Sequence, residues 1–199
     1  MRTNMKKSYF LFFALILTSI TFSQSIKVGV LGGTTMFQSP DEFTKSITEG
    51  GFGFNNSIHY GIKGKFEIPL LPLSMNASIL YVPLSSEESS IKLTSNLLAL
   101  GIGAEWSFIP GPISPYASID LLFNSFGELK LESPFGNLKE KGFTRNGFAF
   151  GGGITFTLLP MIDLDLSAKY AYYNLLGTKG GEKAVTSINI TGGIYISFL

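Results

Sequence analysis

The stretch from Leu97 to Phe123 reads LLALGIGAEWSFIPGPISPYASIDLLF. Two apolar runs flank a knot of Gly and Pro at 109–115, and each carries one carboxylate, Glu105 and Asp120. Side chains along a strand alternate between two faces. Sorted that way, 94–108 places Leu98, Leu100, Ile102, Ala104, Trp106 and Phe108 on one face. Ser95, Ala99, Gly101, Gly103, Glu105 and Ser107 fall on the other. In 115–126, Ile119, Leu121 and Phe123 oppose Ser118, Asp120 and Asn124. Both carboxylates land on the polar face of two strands joined by a tight turn.

The same alternation recurs along the chain. Eight runs show it, at roughly 25–36, 57–68, 73–82, 94–108, 115–126, 145–158, 162–173 and 185–198. No comparable stretch after the N-terminus keeps a 3.6-residue period, and none has the eighteen uninterrupted apolar residues of a membrane-spanning helix. This is an all-β chain. Its connections alternate in length. PLLPL at 69–73, IPGPISP at 109–115 and LPM at 159–161 are tight, whereas 38–56, 85–90, 127–143 and 177–183 are longer and polar. Short turns at one end and long loops at the other predict an eight-stranded antiparallel up-and-down transmembrane β-barrel, with both termini at the short-turn end.

Alternation defines two faces without saying which is outside. The polar face carries five cations, Lys27, Lys63, Lys65, Arg145 and Lys169, and five anions, Glu67, Glu105, Asp120, Asp163 and Asp165. A small soluble barrel would turn that face to water and fill its interior with the apolar one. Three features favour the inverse. The apolar face is continuous over nearly every strand. It holds Trp106, Phe108, Tyr60, Tyr81, Tyr170 and Tyr172, several near strand ends as an interfacial girdle requires. Glycine crowds the polar face (Gly29, Gly33, Gly61, Gly101, Gly103, Gly147, Gly151, Gly153, Gly193), leaving room for long charged chains in a narrow lumen. A charge turned to lipid near mid-membrane would cost about 2–4 kcal/mol. The ten charges are therefore expected to form a paired network inside the barrel.

The N-terminus reads as a secretory signal peptide over 1–23: Lys6 and Lys7 precede an apolar core from Tyr9 to Leu17, and small residues precede Gln24. The barrel domain then occupies 24–199. Lys+Arg at 15 against Asp+Glu at 14 leaves no basic excess to attract nucleic acid. Cysteine is absent, which excludes a disulfide framework, thiol catalysis and a lipidated N-terminal cysteine.

LLPMIDLDLSAKYAYYNLLG at 158–177 is a turn, an alternating strand and an aromatic tail. In the last strand, Thr191, Gly193, Ile196 and Phe198 follow a polar–x–Gly–x–x–apolar–x–aromatic order, with Leu199 one residue beyond. On these residues the chain resembles the outer-membrane β-barrel domain family, which includes the small opacity-protein-like and OmpX-like barrels. The resemblance spans 24–199. It implies a Gram-negative cell envelope protein in contact with outer-membrane lipid, inserted by the barrel-assembly machinery, monomeric and without a cofactor.

Candidate chemistry is sparse. His59 is the sole histidine, and Ser57 shares its face two residues away; a rim histidine in solvent is expected, against a Ser/His lipid-modifying enzyme. Asp163 and Asp165 have oxygen ligands suited to Ca²⁺, but salt bridges to Lys27, Lys65 and Lys169 are the expected arrangement. GTKGGEK at 177–183 lacks phosphate-loop spacing, and FGGGITF at 150–156 lies within a strand, so neither is a nucleotide fingerprint. No catalytic, cofactor or metal residue is assigned. The expected function is non-enzymatic, structural or ligand- and partner-binding through the outer loops. A small-solute channel is the alternative, and a lipid-modifying enzyme a more distant one. Phe43, Phe52, Phe54 and Phe135 in the loops are candidate contacts for a partner whose identity the sequence does not give.

Overall fold

The computed structural model describes residues 26–134, 136–176 and 180–198. The signal segment expected at 1–23 lies outside them. The strands are β1 (Ile26–Ser39), β2 (Asn56–Glu67), β3 (Leu73–Glu88), β4 (Ile91–Ser107), β5 (Ile113–Phe126), β6 (Leu129–Ser133), β7 (Gly136–Glu140), β8 (Phe143–Leu159), β9 (Ile162–Leu176) and β10 (Thr186–Phe198). A four-residue helix, α1 (Asp41–Thr44), sits between β1 and β2. Eight of the strands form a closed ring, because β1 pairs antiparallel with both β2 and β10. Closure leaves no strand edge of the ring unpaired. Lipid offers backbone groups no hydrogen-bond partner, so a closed sheet is one of the two spanning solutions. No helix among the described residues is long and apolar enough to cross a membrane.

The faces sort as the alternation requires. Along β5, Ile119, Leu121 and Phe123 are 58%, 61% and 46% exposed, whereas Asp120, Leu122 and Asn124 are 3%, 7% and 2%. The outward residues are apolar and the inward carboxylate is buried, which excludes the soluble arrangement. Aromatic side chains gather towards both ends of the outer face. Phe66, Trp106, Phe108 and Phe198 lie towards the tight turns. Tyr60 meets Tyr81 at 5.5 Å, and Phe148 stacks on Tyr172 at 5.9 Å, nearer the long loops. The lumen is narrow enough to need its glycines. A Cβ on Gly103 would come 2.2 Å from Asp120 Oδ1, and one on Gly29 2.6 Å from the Tyr195 ring.

At the long-loop end the structure corrects the expected boundaries. β3 and β4 remain paired as far as Glu88 and Ile91, so 85–90 is no loop but the tip of a long hairpin. Only Ser89 and Ser90 turn, with φ of 50° and 66°, as a tight two-residue hairpin demands. Within 127–143, β6 and β7 form a second hairpin that adds to the projecting part of β4, where Lys92 faces Glu132. These extensions leave the lipid-facing band. Their outer face meets no lipid, so the apolar residues that remain there, Leu84, Leu93, Leu129 and Leu131, are those turned to the core at the barrel mouth.

Candidate functional site

The lumen is divided into two unlike halves. Towards the tight turns it is charged. Lys27 bridges Glu67 at 2.6 Å and Asp163 at 2.8 Å. Lys65 bridges Asp165 at 2.8 Å and Glu105 at 2.9 Å, and Glu105 also takes the ammonium of Lys63. Asp165 accepts further hydrogen bonds from the Tyr116 hydroxyl at 2.8 Å and Thr155 at 3.0 Å. The Lys65 ammonium lies 4.6 Å from the ring centre of Tyr195 and 5.0 Å from that of Tyr116, so aromatic faces share its charge. Lys169 reaches Asp120 at 2.6 Å. The ten charges do not join into one network. Nine of them make three separate groups, and Arg145 stands apart: it lies at the long-loop end and donates to Glu182 at 2.7 Å.

Between the halves sits His59. It is buried, with Nδ1 2.9 Å from Thr35 Oγ1 and Nε2 2.9 Å from Thr191 Oγ1. This corrects the expectation of a rim histidine in solvent. Both ring nitrogens are engaged by threonines, leaving neither to activate Ser57. Asp163 and Asp165 are neutralised by lysines, and among the described residues no cluster of acidic or histidine side chains is arranged to hold a metal.

Towards the long loops the lumen is mainly apolar, with the neutral Asn124, Ser187 and Asn189 among its buried groups. Val82, Leu84, Leu93, Leu97, Leu122, Phe126, Ala149, Ala171 and Tyr173 fill it from the strands. The β1–β2 connection folds over this mouth as a cap. Its two arms are joined by Phe52 N to Glu42 O and Phe54 N to Phe43 O, at 2.8 and 2.9 Å. Phe43 then meets Phe37 at 5.0 Å and Phe54 at 5.3 Å, and Phe54 is 1% exposed. The expectation that Phe43, Phe52 and Phe54 present themselves at loop tips is therefore corrected. They turn inward because the barrel's own apolar mouth offers them a core. Phe135 lies outside the described residues. Polar ties hold the cap: Thr48 to Glu88 at 2.8 Å, Ser39 to the Ala184 carbonyl at 2.9 Å, and Lys183 to Glu42.

Spaces among the described residues include three inside the barrel or beside its cap. A vestibule of about 350 Å³ opens at the tight-turn end, lined by Lys27, Lys65, Glu105, Asp163 and Tyr195 among others. A mid-lumen cavity of about 50 Å³ lies where Asp120 and Lys169 meet Leu122 and Val82. A pocket of about 250 Å³ lies between the cap and the base of the β6–β7 hairpin.

The family model for the outer membrane protein beta-barrel domain matches residues 10–195. The chain belongs to that family. Solved barrels share its fold at low identity. Neisserial surface protein A superposes with a TM-score of 0.58 at 16% identity, covering 88% of this chain and 97% of its own. A major outer membrane protein of Thermus thermophilus gives 0.58 at 12%, covering 88% and 100%. Ail of Yersinia pestis, in complex with the heparin analogue sucrose octasulfate, gives 0.51 at 18%, covering 87% and 97%. No curated protein matches the sequence. Within this outer-membrane barrel the apolar half-lumen had a visible signal. Leu97 and Leu122 share parity with Glu105 and Asp120, so the inward face was never uniformly polar.

Proposed function

We propose that this chain is a non-enzymatic, non-conducting barrel of the outer membrane, whose long-loop end faces outward from the cell and binds a ligand or partner. The observation that carries the reading is the plug. Phe37, Phe54, Leu84, Leu97 and Phe126 fill the loop half of the lumen, and the cap closes over them. Eight-stranded barrels have interiors just wide enough for side chains to fill. A lumen spent on side-chain packing leaves the projecting hairpins and the cap as the surface on which function acts. The complex of Ail with a heparin analogue is an instance of ligand binding on this fold.

The channel reading has one observation on its side, the charged vestibule at the tight-turn end. Planar-bilayer recording of the refolded barrel decides between them. The expected record is silent at either polarity. Stable, reproducible conductance steps overturn the closed-lumen reading.

A further inference from the structure

The pocket beside the cap has a lining that selects a chemistry. Phe43, Phe52 and Phe54 come from the β1–β2 connection, Phe126 from the end of β5, Leu129 from β6 and Phe143 from the start of β8. Phe126 and Phe143 stack at 4.7 Å with 22° between planes, and Phe52 meets Phe43 edge-on at 6.1 Å. Stacked and edge-on contacts of this kind are the two arrangements in which an added aromatic ring extends such a cluster. Phe143 remains 42% exposed, so this apolar surface is left uncovered where the chain meets water.

Glu140 and Lys141 border the same space. Neither forms an ion pair among the described residues. An unpaired anion beside an unpaired cation gives a border of zero net charge. A singly charged head would be drawn by one and repelled by the other, whereas a head carrying both signs satisfies both. Size restricts the body. At about 250 Å³ the space falls just below the roughly 300–1,000 Å³ of sites for drug-sized ligands, so it takes one ring and not the acyl chains of a membrane lipid.

We infer that this pocket binds a small zwitterion bearing one aromatic side chain, its ring among the phenylalanines and its ammonium and carboxylate at Glu140 and Lys141. The inference rests on the loop-end binding proposed above and names its site and ligand class.

The test is a titration of the isotope-labelled barrel in nanodiscs with L-phenylalanine, which dissolves in water and does not accumulate in lipid. The Leu129 methyl and Phe143 ring signals are expected to shift saturably, while those of Leu31, in the mid-lumen, stay fixed. Phenylacetate and phenethylamine are expected to bind several-fold more weakly. Glu140→Gln and Lys141→Gln should each weaken phenylalanine several-fold. Leu129→Trp, which fills the space, should abolish the shift. Ser95→Phe fills it from the neighbouring strand β4 and keeps the test decisive if the first variant fails to fold. Absence of a saturable shift, an unchanged shift in a folded filled variant, or equal affinity for the singly charged analogues overturns the inference. Such a failure with a silent bilayer record removes the pocket alone; conductance removes the reading beneath it.

Discussion

Glu105 is held by two ammonium groups at once, Lys63 and Lys65, and all three side chains are almost fully buried. Asp120 has one cationic partner, Lys169, which retains more exposure. Removing one member of a buried pair leaves the other charge without compensation, at about 3–5 kcal/mol, an amount that water in the lumen reduces. Glu105→Leu should therefore destabilise the barrel more than Asp120→Leu, because it leaves Lys63 unpaired at a more deeply buried place than Lys169 and takes from Lys65 one of its two carboxylates. Urea titration of folding into lipid vesicles measures both, and equal losses would mean that the lumen screens its charges fully. The side chosen by these carboxylates was legible from parity alone, since a strand has only two faces. Their partners were not. Pairing across the lumen depends on strand stagger, and nothing local in the sequence records that Lys65 meets Asp165 while Arg145 meets Glu182.

Strands spanning lipid are marked by apolar side chains on every second residue, and those spans were readable. The segments beyond the lipid obey other rules. β6 turns Leu129 and Leu131 to the apolar mouth of the barrel, but β7 is exposed throughout, so its pairing is written in turn geometry and cross-strand contacts alone. The cap is the extreme case: its fold comes from phenylalanines seeking an apolar mouth built by distant strands. Its rim is electrostatic and lies outside the lipid band. The Lys183 ammonium holds Glu42 below the ordinary carboxylate range, and the Thr48 hydroxyl does the same for Glu88. A folded-state value lowered from 4.5 favours the folded cap above that pH and ceases to do so as the pH falls through the lowered value. Hydrogen-exchange protection of the Phe52 and Phe54 amides should therefore drop on acidification below the ordinary glutamate value. The effect is small, since exposed pairs are weak. Protection unchanged down to about pH 3, where free carboxylates are largely protonated, would assign the cap's hold to its aromatic packing alone.

At the scale of the whole molecule, the closed ring satisfies the backbone and the inward residues decide what the barrel encloses. Charges line an open vestibule on the tight-turn side, and side chains pack the half on the long-loop side. The boundary falls near Asp120 and Leu122, neighbours on the inward face of one strand. This asymmetry makes a prediction that the absence of cysteine renders clean, because any introduced thiol is unique. Ser107→Cys places a thiol in the vestibule, Ala171→Cys places one in the fully buried apolar half, and Leu121→Cys places one on the outward face. A thiol reacts only where reagent reaches it. In the vesicle-embedded barrel, a charged maleimide should label position 107 from the tight-turn side alone. Position 171 should resist it from both sides until urea unfolds the chain, and position 121 should yield only to a lipid-soluble reagent. Labelling of 171 in the folded barrel at a rate close to that of 107 would show water running the length of the lumen. The plug would then be no barrier, and the charged groups below it would line a conducting path.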